Sequence, residues 1–171
     1  MNNLLIPISN DEFKNNVNIR FNTILEGFDL FKSFTIEDNT TEGGENKIIQ
    51  FIEKVFEENN CEAYVDFYIN KISNEDKENL IALVPDEDKE ILKLHLTAEP
   101  HDGVFYKLLN KILIPFLVRL NTREIFFVTF YFTNKPITIW GNYDMKFPCF
   151  FNTEDDREFY YTLLKSLGFY A

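Results

Sequence analysis

The segment Glu124–Phe132, EIFFVTFYF, constrains this chain more than any other. A strand with one face in water alternates apolar and polar residues, and this one is too apolar to do so. It is therefore read as a central strand. The turn Thr133-Asn134-Lys135-Pro136 leads from it into a second strand, Ile137–Trp140. Gly141-Asn142 turns the chain again into a third, Met145–Phe151, where Pro148 argues for an edge position. A chain of 171 residues can bury such a meander, since at this size about 70% of the unfolded surface is removed from water. One domain over residues 1–171 accounts for the length.

Helical patterns surround these strands. Ile48, Ile49, Ile52, Val55 and Phe56 make one apolar stripe over Glu45–Asn59. Phe159, Tyr160, Leu163, Leu164 and Leu167 make another over Glu154–Leu167, capped by Thr153 and stopped by Gly168. A third helix starts after Ser73 and ends before Pro85. A fourth is read from Gly103 through Phe105, Leu108, Leu109 and Ile112, with Pro115 ending or kinking it. Cys61–Ile69 and Glu90–Thr97 read as further strands, the latter from Leu92, Leu94 and Leu96 alternating with Lys93 and His95. Residues 17–31 fit either a strand or a helix. The sum is an α+β fold: a mainly antiparallel sheet with a C-terminal meander, covered by amphipathic helices.

Charge divides the chain. The net value is −11, and two stretches carry it: residues 36–62, with eight acids to two bases, and residues 73–102, with nine acids to three. Residues 103–148 carry six bases to two acids. A phosphate backbone needs a basic face, so direct nucleic-acid binding is disfavoured. The acidic runs are either solvated helix faces or a surface that attracts a basic partner. Residues 1–9 carry no basic start or long apolar run, so no secretory signal is expected. The longest apolar run, Ile112–Val118, is too short to span a membrane. Cys61 and Cys149 lie in no CxxC pair and read as buried free thiols, which fits a reducing cytoplasm.

No residue pattern dictates a reaction. His95, Glu99, His101 and Asp102 offer four possible metal ligands within eight residues, but Pro100 interrupts any regular spacing. No cofactor or metal is therefore assigned. Cys149 with His101 lacks any feature that activates a thiol. Acid runs such as Asp86-Glu87-Asp88 and Glu154-Asp155-Asp156 lie in turns and helix starts, where carboxyls are ordinary. No GxxxxGK[ST] or GxGxxG is present to hold a nucleotide. Most of the 19 Phe belong to the core, whereas Trp140 and Tyr143 flank a turn, a place where large amphipathic rings anchor interfaces.

The C-terminal third, FYFTNKPITIWGNYDMKFPCFFNTEDDREFY, resembles the end of small bacterial immunity proteins that partner polymorphic and contact-dependent inhibition toxins. The resemblance implies an acidic, cytoplasmic, non-enzymatic α+β chain that binds one cognate toxin and occludes its active site. A basic toxin domain such as a nuclease is the partner class that the charge fits. The residues assigned to partner binding are Glu37, Asp38, Glu42, Asp86, Glu87, Asp88, Trp140 and Tyr143. Two alternatives stand beside this reading: a small metal- or carboxylate-dependent hydrolase, and an acidic DNA mimic or adaptor. The sequence leaves the oligomeric state open.

Overall fold

The aromatic segment does lie at the centre of a sheet, but its strand begins late. In the computed structural model, which describes residues 4–37 and 43–169, only Thr129–Phe132 forms the strand, here β5. It pairs with Ala63–Asp66 (β3) on one side and Ile137–Trp140 (β6) on the other. The remaining strands are Ile6–Pro7 (β1), Lys32–Glu37 (β2), Phe105–Leu108 (β4) and Lys146–Phe151 (β7). All pairings are antiparallel and the order is β1-β4-β3-β5-β6-β7-β2. The fold is α+β with β5-β6-β7 as its meander.

Among the described residues seven α-helices pack around this sheet: Asn10–Asn16 (α1), Ile24–Leu30 (α2), Gly44–Glu58 (α3), Asn74–Leu83 (α4), Asp86–Thr97 (α5), Leu113–Thr122 (α6) and Glu154–Ser166 (α7). Four share one start signal. Ser9, Thr23, Ser73 and Thr153 each accept the backbone N–H of the acid three residues on, Glu12, Glu26, Asp76 and Asp156. The side-chain oxygen satisfies a donor that the first helical turn leaves unpaired, and the acid complements the helix dipole.

The strand alternation sorts side chains to two faces. Ala63, Val65, Phe130, Phe132, Ile137, Ile139, Phe147, Cys149 and Phe151 enter the main core with the apolar stripes of α3, α6 and α7. Tyr64 and Tyr131 point the other way and form a smaller cluster with Ile8, Phe13 and Val17 under α1. Asn59 ties these layers at one point. Its Nδ2 donates to Val55 O and Tyr160 Oη, its Oδ1 accepts Lys135 N–H, and Tyr160 O–H donates to Lys135 O. The end of α3, the β5–β6 turn and α7 are thereby fixed together.

Several expectations are corrected. Glu90–Thr97 is not a strand but the body of α5, whose buried face is Asp88, Leu92 and His95, spaced four and three apart. The alternating leucines mislead, since Leu94 is exposed. The helix expected from Gly103 is instead β4 followed by α6. Pro115 is the third residue of α6, where its missing N–H has no helical partner to lose. Pro148 is not on an edge strand: β7 lies between β6 and β2, and it pairs with β6 through Cys149 and Phe150. The expected strand Cys61–Ile69 is shortened to Ala63–Asp66 and followed by a 3-10 turn at Tyr68–Lys71. Residues 17–31 hold the connection to α2 and α2 itself.

Candidate functional site

One end of the molecule gathers the predicted binding residues that the structure describes, with the exception of Trp140. The start of α5 docks on the end of α6: Arg119 Nε and Nη2 donate to Asp88 Oδ2 and Oδ1 at 2.7 and 2.6 Å, and Glu87 lies 3.8 Å from Nε. The end of α6 docks on the start of α3 through Arg123 and Thr122, both of which donate to Glu45. The Arg123 guanidinium holds the Glu45 carboxyl below its ordinary pKa. Glu124 follows, and its carboxylate accepts the Asp144 N–H of the β6–β7 loop at 3.0 Å. Beyond that loop Lys146 stands opposite Glu37 at the end of β2.

The individual residues differ in availability. Asp86 and Glu87 are exposed and Glu37 is at the edge of the sheet. Asp86 is paired to Lys89, which lowers its pKa. Asp88 is 1% exposed and spent on Arg119, so it is structural and leaves the accessible face. Tyr143 is 62% exposed with its ring edge-on to Phe127. Trp140 is half-buried, stacked on Phe21 at 5.2 Å, and belongs to a groove on the other sheet face. Asp38 and Glu42 lie outside the described residues.

That groove has a volume of about 580 Å³. Its floor comes from a cross-sheet row: Phe105 faces Asp66 in the β4–β3 register, Thr129 N–H donates to Asp66 Oδ1 at 2.7 Å, and Thr129 faces Trp140. Tyr131 O–H reaches Asp66 Oδ2 at 3.4 Å. Phe13, stacked on Phe105 at 3.7 Å, and Phe21 supply the walls from the α1 side. Exposed Lys14, Asn18, Arg20 and Asn22 form the rim. Asp66 is 9% exposed, and burial pushes its pKa up to about 6 against the opposing pull of the Thr129 N–H.

The two histidines are not joined into a centre. His95 Nε2 accepts Leu5 N–H at 3.1 Å, which places the proton on Nδ1, where it is donated to Ile91 O at 2.8 Å. Burial holds its pKa below the ordinary value. His101 lies edge-on to Tyr106, and its Nε2 is buried against Gly103. Both line a cavity of about 280 Å³ with Glu99. Among the described residues no three His, Cys, Asp or Glu side chains come together as a metal site. Cys149 is buried with its thiol pKa pushed well up, whereas Cys61 is exposed, against the expectation that both thiols are internal.

Asp66 was missed by sequence reasoning. Its signal is an acid inside YVDF, a run that is otherwise apolar, where a charge is costly unless the fold uses it. Among the described residues no helix is long and apolar enough to cross a membrane. No family model, no curated protein and no solved structure matches this chain.

Proposed function

We propose that this chain is a non-enzymatic protein-binding inhibitor, of the kind small immunity proteins represent, acting in the cytoplasm on a cognate toxin domain whose active site it occludes. The observation that supports this most is the convergence at one end: exposed Asp86 and Glu87 on α5, Glu37 on β2 and Tyr143 in the β6–β7 loop stand on three separate elements. Acids held by a rigid frame present a fixed negative field, which steers a basic partner and discriminates against wrong ones. An exposed tyrosine supplies contact area at low entropic cost.

Where a large secreted protein is encoded beside this chain, co-expression with the C-terminal domain of that protein tests the reading. Growth rescue by the wild type, lost in a Glu87→Lys/Tyr143→Ala double variant that still folds, is the expected result. No rescue by the wild type sinks the reading for that pair. With the purified pair, association is expected to slow as salt rises; equal rates at low and high salt remove the electrostatic part.

A second reading, a carboxylate-dependent hydrolase, draws on one observation only: Asp66 combines burial, a pKa near 6 and a groove. A general acid must act on a bond, so the hydrolase reading requires turnover of some ester or glycoside that Asp66→Asn abolishes.

A further inference from the structure

The groove over β3, β5 and β6 carries features that the inhibitor reading leaves unused. Asp66 is a buried carboxylate held by Thr129, through its N–H at 2.7 Å and its side chain, and by Tyr131 O–H, which is long at 3.4 Å. Each carboxylate oxygen has room for more than one donor. Among the described residues no Lys, Arg or His reaches it within ion-pair distance. Arg20, although on the rim, donates Nη1 to Val17 O at 2.6 Å. A desolvated carboxylate with no cation of its own is stabilised by any cation that reaches it.

The walls favour the same guest. Trp140, Tyr68, Phe21 and Phe105 border the groove, and aromatic faces attract ammonium and guanidinium groups. The volume, about 580 Å³, lies in the range of small-molecule sites. Burial orders the lining by depth. Asp66 and Tyr131 are buried at the floor, whereas Lys14 and Arg20 are exposed at the mouth. The charge therefore changes along the groove: Asp66 lies inside with aromatic rings, and Lys14 and Arg20 lie outside with the half-buried Glu26, whose carboxylate accepts Asn22 N–H.

We propose that this groove is a binding site for a small zwitterion with a guanidinium or primary ammonium head, an apolar stem and an anionic tail. The head donates to Asp66 and lies between the aromatic walls, and the tail meets Lys14 and Arg20. The site is independent of the acidic end and stands whether or not a toxin is bound there. Trp140 is the one tryptophan of the chain, so its fluorescence reports on the groove.

Titration with 4-guanidinobutanoate, agmatine and the neutral-headed 4-ureidobutanoate, at constant ionic strength, tests the proposal. The expected result is a saturable Trp140 signal with 4-guanidinobutanoate. Affinity for 4-ureidobutanoate is expected to be about tenfold weaker or worse, as when a charge-assisted bond becomes a neutral one. Agmatine, whose tail is cationic, binds more weakly than 4-guanidinobutanoate and gains when Lys14 is changed to Met. Asp66→Asn keeps an acceptor for Thr129 N–H and loses the discrimination between guanidino and ureido heads. If Asp66→Asn does not fold, calorimetry on the wild type decides. Guanidinobutanoate affinity must fall as pH is lowered through about 6, with Tyr68, Tyr131, Glu26, Lys14 and Arg20 as the other titratable groups facing the groove. Equal binding of guanidino and ureido compounds, or no saturable signal with either, overturns the proposal.

Discussion

Asp88 and Arg119 are joined by two short, roughly parallel hydrogen bonds, 2.7 Å from Nε and 2.6 Å from Nη2, with the carboxylate 1% exposed and the guanidinium 15%. This pair seats α5 on α6 and so sets where Asp86 and Glu87 point. Removing one partner leaves an uncompensated buried charge, at a cost of about 3–5 kcal/mol. Arg119→Met is therefore expected to lower unfolding stability by that amount in urea. Replacing both, Asp88→Leu with Arg119→Met, is expected to recover most of it. A single variant within about 1 kcal/mol of wild type would place the pair among surface ion pairs instead.

Asn121 is fully buried and closes the α6–β5 connection with both ends of its carboxamide: Val128 N–H donates to Oδ1 and Nδ2 donates to Val128 O, at 2.7 and 2.9 Å. Gly141, at the end of β6, packs directly on this group, and a Cβ there would run into it. Gly141→Ala is expected to cost about 1–3 kcal/mol, as overpacking does. Asn121→Ala should cost a similar amount by orphaning the two Val128 groups. Urea melts of both singles and the double check this, and the double is expected to fall short of their sum because the two changes disturb one contact.

The two cysteines differ in reach. Cys61 is exposed in a left-handed turn with φ 58°, while Cys149 is wholly buried between Phe147 and Phe150 on β7 and its thiol pKa is pushed well up by burial. Thiolate fraction and access set reactivity. A maleimide reagent is expected to modify one thiol rapidly in native protein, absent from Cys61→Ser, and the second only on unfolding. Fast modification of two equivalents in native protein contradicts the packing of β7.

The legible parts of this fold are those where one physical signal dominates. The stripes of α3 and α7 and the Ser73 and Thr153 caps depend on local spacing, and all stand as read. The errors fall where two signals compete. At Leu92–Leu96 alternation and helical spacing both fit, and the deciding residue was Asp88, a charge whose burial depends on Arg119, 31 positions away. At Phe105–Leu108 the strand exists because β1 and β3 flank it, which no local pattern encodes. Of the candidate site, the acidic residues were visible as composition, but their gathering at one end depends on Arg119, Arg123 and Glu124, which were not singled out. Asp66 becomes conspicuous only once both neighbours of β3 are known.

Asp66 and His95 give the stability opposite dependences on pH. In the folded state Asp66 titrates at about 6 rather than 3.8, because burial disfavours its charge. Between these values the folded chain holds a proton that the unfolded chain has lost. Stability from this group is complete below about 4 and is lost as pH rises through 6, an effect on the order of 3 kcal/mol. His95 is held below the ordinary 6.5, because burial disfavours its cation and Nε2 must stay free to accept Leu5 N–H. As pH falls under 6.5 the unfolded chain takes up a proton that the folded chain refuses, so stability from this group falls towards acid. The two slopes oppose each other as pH falls below about 6. Glu45, held below the ordinary 4.5 by Arg123, weakens the fold only as pH falls below that ordinary value. Asp66→Asn is expected to be more stable than wild type at pH 8 and to lose stability steadily on acidification. His95→Gln, which keeps an acceptor for Leu5 N–H, is expected to gain stability over the same range. Urea unfolding of the three proteins across this range checks the signs, and parallel curves for Asp66→Asn and wild type would show that Asp66 titrates normally.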